Sequence, residues 1–194
     1  MERYLDNNGT RLWSTAEGTG LPLILFNGGP GCDDYLEPVS DMIRDRCTVV
    51  RFEQRGCGRS DWDTRYDLRT TIADIDFVRA AYGFDRVIIA GHSAGVGFAL
   101  AYALSRPDVV SGIIGLAGGC GIVNDREWSR VYHENLEKYG ENNGGKIYRS
   151  DPDVNKIGVA SWRRFITEPT LLRDLAHLDM PAVFINAGKD IRPN

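Results

Sequence analysis

Gly91-His92-Ser93-Ala94-Gly95 sets a serine between two glycines, and its flanks decide what that serine can do. Arg86-Val87-Ile88-Ile89-Ala90 before it is apolar and β-branched, as a buried strand is, while residues 96–104 after it form a small-residue helix pattern. A chain that turns from strand to helix within a few residues holds the serine in a strained conformation with its hydroxyl exposed. Gly91 and Gly95 suit this bend, because a β-carbon at either would strike the neighbouring strand or helix. The Ala94 amide then lies at a helix N-terminus, where developing negative charge on a substrate oxygen is favoured. The chemistry implied is nucleophilic attack by Ser93. The plainer alternative is a glycine-rich turn that contains an incidental serine.

The rest of the chain must bring other groups to that corner. Leu21–Phe26 is an unbroken apolar run that leads into Asn27-Gly28-Gly29-Pro30-Gly31. An apolar run of this kind fits a strand covered on both faces. Cys47–Phe52 reads as the next strand and leads into Glu53-Gln54-Arg55-Gly56-Cys57-Gly58-Arg59-Ser60. Residues 2–6 and 10–17 flank the turn Asn7-Asn8-Gly9 and read as a β-hairpin. Residues 35–46 are weakly helical. Over 68–82, Leu68, Ile72, Ile75, Val78 and Ala81 recur at helical spacing before Gly83, and residues 109–117 read as a further strand. Alternating strands and helices predict an α/β fold: a mostly parallel, doubly wound sheet with flanking helices.

Composition changes after Gly121. Residues 124–176 are polar, aromatic-bearing and helical in periodicity, with a break at Glu141-Asn142-Asn143-Gly144-Gly145 that predicts at least two helices. We expect residues 122–176 to form an inserted helical cap over a core made of 1–121 and 177–194. Residues 181–187 resume the sheet and run into Gly188-Lys189-Asp190-Ile191-Arg192-Pro193-Asn194.

The 194 residues, 42% hydrophobic, suffice for one core. A net charge of −4 argues against nucleic acid as a main partner. The first ten residues lack the apolar core of a secretion signal, which predicts a cytoplasmic protein. The uncharged stretch 87–104 is interrupted by Gly91, His92, Ser93, Gly95 and Gly97, so a buried strand and helix explain it better than a membrane span. Cys32, Cys47, Cys57 and Cys120 have neither zinc-site spacing nor disulfide-scaffold density, so reduced thiols and no metal are expected. Cys32, Cys57 and Cys120 fall just past strand ends on the Ser93 side. Either a bulky thiol reagent blocks the site through them, or they are ordinary loop cysteines.

The glycine loop at 27–31, the second loop at 53–60 and the serine pentapeptide resemble, in order, the His-Gly-Gly-Pro-Gly, Asp-Gln-Arg-Gly-x-Gly-x-Ser and nucleophile-elbow motifs of α/β-hydrolases related to proline iminopeptidase. The resemblance covers nearly the whole chain. It implies Ser93 as nucleophile, the amides of Gly29 and Ala94 as oxyanion hole, and no cofactor. Asp190, in Gly-x-x-Asp, matches the acidic member of the triad; its alternative is a solvated turn aspartate. Asn27 stands for the family's histidine and Glu53 for its aspartate, and both keep hydrogen-bonding ability. Arg55 reads as a tie between loops rather than a substrate contact.

The resemblance also implies a histidine after the acid. The three histidines, His92, His133 and His177, all precede Asp190. His92 is expected to be packed or loop-bonded, His177 to lie away from the site, and His133 to be a distant candidate for a replacement base. A serine without its base loses about a millionfold in turnover. The expectation is a hydrolase architecture, cut after the acid-bearing strand and nearly inactive as this chain. Three readings stay open: a proline iminopeptidase-type enzyme releasing N-terminal residues from small peptides, a small ester or amide hydrolase, and a non-catalytic binding protein. An uncovered sheet edge near Val183 to Ile185 invites self-association.

Overall fold

The computed structural model describes residues 1–118, 125–140 and 149–186. Strands β1 (Glu2–Asn7) and β2 (Thr10–Glu17) form the predicted hairpin, with Asn8 and Gly9 both left-handed (φ 54° and 88°) at its turn. β2 runs antiparallel to β4 (Cys47–Phe52). From there the sheet is parallel through β3 (Leu21–Phe26), β5 (Val87–His92), β6 (Val110–Leu116) and β7 (Ala182–Ile185), in the order β1-β2-β4-β3-β5-β6-β7.

Why the inner strands are largely apolar follows from what covers them. On one face Ile24, Phe26, Val50, Phe52, Ile89 and Ile113 pack with α2 (Leu68–Ala81) and α3 (Ala94–Ser105), which contribute Ile75, Val78, Val96, Phe98 and Tyr102. Side chains one residue out of phase, Leu23, Leu25, Val49 and Ala90, pack on the other face against Leu36, Val39 and Ile43 at α1 (Glu37–Ile43). Successive strand residues point to opposite faces, so helices on both faces favour apolar residues at nearly every position, Arg51 being held by Asp34 and Glu17.

The helices begin where their sequences say they should. Asp67 caps α2 by accepting from the Thr70 amide (3.0 Å), and its carboxylate there satisfies an otherwise unpaired N–H. The first helix is shorter than the expected 35–46. Pro38 sits in its first turn, and at its far end the carbonyls of Arg44 and Arg46 accept from Thr19 and Leu21, which ties residues 44–46 to the turn before β3.

Between β6 and β7 lie α4 (Asp125–Tyr139), α5 (Pro152–Ile166) and α6 (Leu171–Leu175). α5 sits against the loops at the strand ends. Asn155 Nδ2 donates to the Pro30 carbonyl (2.9 Å), Ser161 Oγ accepts from the Leu68 amide (2.8 Å), and Tyr66 Oη donates to Asp151 (2.9 Å). Trp162 of α5 lies over α3, 6.1 Å from Phe98 between ring centres, in space that Gly97 leaves open. The break at 141–145 and residues 187–194 lie outside the described residues. No helix among the described residues is long and apolar enough to cross a membrane.

Candidate active site

Ser93 occupies the junction of β5 and α3 with φ 55° and ψ −122°, a conformation that non-glycine residues rarely adopt. Its amide donates to the Leu116 carbonyl at 2.9 Å, fastening the corner to the end of β6. The glycines on either side are required by contact. A β-carbon on Gly91 would lie 2.2 Å from the Gly95 carbonyl group, and one on Gly95 would lie 2.5 Å from the Asn27 carbonyl oxygen. The serine corner is thus pressed onto the first glycine loop. Ser93 is half-buried, neither sealed in the core nor fully in solvent. Ala94 opens α3, where first-turn amides have no partner within the helix.

The loop at 27–31 meets the serine through Gly28, whose missing β-carbon would stand 3.1 Å from Ser93 Cβ. The Gly28 N–H donates to Tyr35 Oη at 2.8 Å, and Oη lies 2.6 Å from His92 Nδ1. Gly29 follows with φ +119°. Asn27 departs from expectation. Its side chain is 4% exposed, yet neither its amide nitrogen nor its oxygen has a hydrogen-bond partner among the described residues. The hydrogen-bonding ability it shares with a histidine thus finds no partner among the described residues.

Glu53 does use its own. The carboxylate, 1% exposed, accepts from the backbone of Asp34 (3.0 Å) and from the guanidinium and amide of Arg59. It fills the space beside Gly58, where a β-carbon would collide with it at 2.3 Å. Arg51 pairs with Asp34 and with Glu17, and burial pushes the Asp34 carboxyl up against the pull of that arginine. Arg55 spans two carboxylates, Asp74 (2.6 and 2.7 Å) and Asp63 (2.5 Å), so it ties its loop to α2 as well as to the loop of Asp63, where the sequence had suggested a tie between loops.

Two histidines are held by backbone: His133 Nδ1 contacts the Ser129 carbonyl and His177 Nδ1 the Arg173 carbonyl, each at 2.6 Å. The ring of His92 bonds Tyr35 across the loops, so it is loop-bonded as expected. Asp190 lies outside the described residues, as does Cys120. The thiol expectation needs correction at Cys57: it is fully buried, donates to the Arg55 carbonyl (3.8 Å), and burial pushes it up to about 12. Only Cys32 of that pair is half-exposed. Among the described residues no three His, Cys, Asp or Glu side chains gather as metal ligands would.

Sequence reasoning missed Tyr35, Asp34 and Trp162. The first two precede α1 and find partners across the loops, and the third announces itself only through the small residue Gly97 facing it.

A strained serine at a strand-to-helix corner, on a mostly parallel sheet covered on both faces, defines a hydrolase-type α/β scaffold, and a family model of the alpha/beta hydrolase fold matches residues 22–190. The chain belongs to that family. Its curated relatives include the proline iminopeptidase of Saccharolobus solfataricus, 33% identical over 129 residues that span 63% of this chain and 42% of the relative. That of Neisseria gonorrhoeae is 32% identical over 174 residues, 74% of this chain and 53% of the relative. The chain spans about half the length of the curated relatives it matches. Among solved structures, E-2-(acetamidomethylene)succinate hydrolase superposes with a TM-score of 0.68 over 96% of this chain and 91% of that one. At 18% identity this is likeness of fold. A CIB-like hydrolase from Thermoplasma acidophilum is 28% identical with a TM-score of 0.53, over 61% of this chain and 62% of that one.

Proposed function

We propose that this chain carries the nucleophile half of a serine hydrolase of the proline iminopeptidase type, which releases an N-terminal residue from small peptides through an acyl-enzyme. The observation that carries the reading is the left-handed Ser93 at the end of β5, pressed through Gly28 against the glycine loop. In this mechanism Ser93 Oγ attacks the substrate carbonyl. The amides of Gly29 and Ala94 receive the negative charge that develops on its oxygen, which removes much of the barrier to forming the tetrahedral intermediate. Asp190 is the acid that orients a histidine base, and residues 122–176 form the cap that bounds the substrate.

A hydroxyl becomes a competent nucleophile only when a base takes its proton. No histidine of this sequence follows Asp190, so the 194 residues alone turn over substrate barely if at all. A histidine from a longer or a second chain would restore turnover. A phosphonate probe tests the nucleophile directly. Fluorophosphonate should add one mass label to the chain at Ser93 and none to Ser93→Ala, faster when a histidine is supplied; labelling elsewhere, or none under either condition, overturns the assignment.

A small ester or amide substrate is the second reading, favoured by the fold-level likeness to E-2-(acetamidomethylene)succinate hydrolase. Proline p-nitroanilide and p-nitrophenyl acetate, offered to a chain bearing a histidine beyond Asp190, separate the two. Preference for the anilide supports the peptidase; turnover of the acetate alone refutes it.

A further inference from the structure

We propose that Asn155 and Gly158, near the start of α5, are positioning residues: they pin Pro30 and so hold the preceding Gly29 amide where the oxyanion forms. The positioning role rests on the reading of Ser93 as nucleophile; the clamp on the glycine loop does not.

The start of α5 is itself anchored, to the loop at 53–60. The Gly58 N–H donates to the Arg149 carbonyl (2.6 Å), the Asp151 N–H donates to the Gly56 carbonyl (2.8 Å), and Cys57 and Ser150 face each other as an antiparallel bridge between these two bonds. Val154, 2% exposed, packs with Cys57 and Tyr66 in space that Gly56 leaves open, where a β-carbon would lie 2.4 Å from Val154 Cγ2. Main-chain hydrogen bonds and a buried side chain thus make the first turn of the helix a fixed post.

From that post two residues reach the glycine loop. Asn155 Nδ2 donates to the Pro30 carbonyl at 2.9 Å. One turn further along α5, Gly158 lies against the ring of the same proline: a β-carbon there would stand 2.6 Å from Pro30 Cγ and 2.7 Å from Pro30 Cβ. Pro30 is buried and its ring is rigid, so the loop is held by carbonyl and side chain at once. Gly31 closes the same contact at φ +105°, since its β-carbon would meet Ser150 Oγ at 3.3 Å. Gly29 comes immediately before this pinned pair, with φ +119°, and is half-buried where Gly28 and Pro30 are buried. A glycine has wide backbone freedom, so its amide keeps one direction only when its neighbours are fixed. An oxyanion donor acts only when it is held near hydrogen-bond distance of the oxygen it must stabilise, and a rigid helix behind the loop supplies that hold. Asn155 is exposed, so what it gives the fold is this contact and not core packing.

Asn155→Ala removes the donor from a helix that alanine favours over asparagine, so any loosening it causes lies in the loop and not in α5. Relaxation NMR of the folded chain reads the clamp: the order parameter of the Gly29 N–H should fall from the rigid range, about 0.85, toward about 0.6. Fluorophosphonate labelling of Ser93 should slow about fivefold in its maximal rate, the loss expected of one hydrogen bond, at unchanged half-saturation. Asn155→Asp, which keeps the shape and turns the donor into an acceptor, should do the same. So should Gly158→Ala, which drives a methyl group into the proline ring. Lys156→Ala, at an exposed position of the same helix, should leave both readings unchanged. Unaltered order at Gly29 in both Asn155 variants overturns the clamp, as does an equal loss in Lys156→Ala. Altered order with an unaltered maximal rate of labelling overturns the positioning role. Ser93 left unlabelled, with or without a supplied histidine, while Gly29 loosens, overturns the hydrolase reading and the positioning role with it, and sustains the clamp.

Discussion

Gly91 and Gly95 are in backbone contact across the serine corner: a β-carbon on the first would fall 2.2 Å from the carbonyl group of the second. The obstacle is main chain, which cannot swing aside as a side chain would, so the corner itself would have to open. Gly91→Ala should cost about 1–3 kcal/mol, the usual range for an overpacked site. For a chain of this length that corresponds to a fall in Tm of roughly 2–4 °C per kcal/mol. Calorimetry checks it, and an unchanged melting curve would show that the corner relaxes without strain.

Arg55 predicts a larger loss. Its side chain and that of Asp74 are 7% and 3% exposed, and Asp63 is its second partner. Arg55→Ala leaves Asp74 without its cation while Asp63 keeps Arg65, and breaking a buried pair from one side costs on the order of 3–5 kcal/mol. Urea unfolding should show the midpoint displaced accordingly, with Asp74→Asn in the same background recovering part of the loss.

The acid response follows from Asp63. The Arg65 guanidinium, ahead of the other contacts, holds its carboxyl well below the ordinary 3.8. A carboxyl lowered on folding stabilises the chain above its unfolded value, and that contribution disappears as pH falls through the folded value. Stability should therefore drop between about pH 5 and about pH 2, and less steeply in Arg65→Ala, where Asp63 returns toward its ordinary range. Parallel slopes in the two proteins would remove Asp63 from the account.

Thiol chemistry should separate the cysteines. Cys57 is fully buried and pushed up to about 12 by that burial, while Cys32 is half-exposed on the neighbouring loop. Since the thiolate is the reacting form, iodoacetamide should label Cys32 in the native chain and Cys57 only after unfolding. Peptide mass mapping decides; native labelling of Cys57 would mean that the loop at 53–60 opens readily.

The last strand carries a solubility prediction. Val183, Phe184 and Ile185 are each about half-exposed on β7, at the edge of the described sheet. Exposed apolar edges recruit further strands, and a lysine there discourages it. Val183→Lys should lower concentration-dependent association in sedimentation velocity without altering the circular dichroism spectrum. Equal association in both proteins would place the contact elsewhere.

Much of this architecture was legible because its signals are local. β3 matches the apolar run and β4 the strand read at 47–52, residue for residue; the hairpin turn matches Asn8-Gly9, and α2 begins at its aspartate cap and ends before Gly83. The serine corner was legible for the same reason, as strand, pentapeptide and helix are contiguous. What escaped depends on distant partners. Tyr35 reads as part of a weak helix, yet it lies ahead of α1 and bonds residues 7 and 57 positions away. Asn27 shows the opposite limit: a residue type that can form hydrogen bonds does not reveal that its buried carboxamide lacks a described partner. The polar segment after β6 announced helices but not their docking, because the contact of Trp162 with α3 is prepared by an absence of side chain at Gly97.

The meeting of Gly28, Tyr35 and His92 at a single oxygen also bears on descent. Where a lineage trades the phenol for phenylalanine, the Gly28 amide and His92 Nδ1 lose a shared partner, while Ser93 Cβ and the His92 carbonyl oxygen still crowd the space beside Gly28. The three sites should therefore be inherited together, as one character of the fold rather than three.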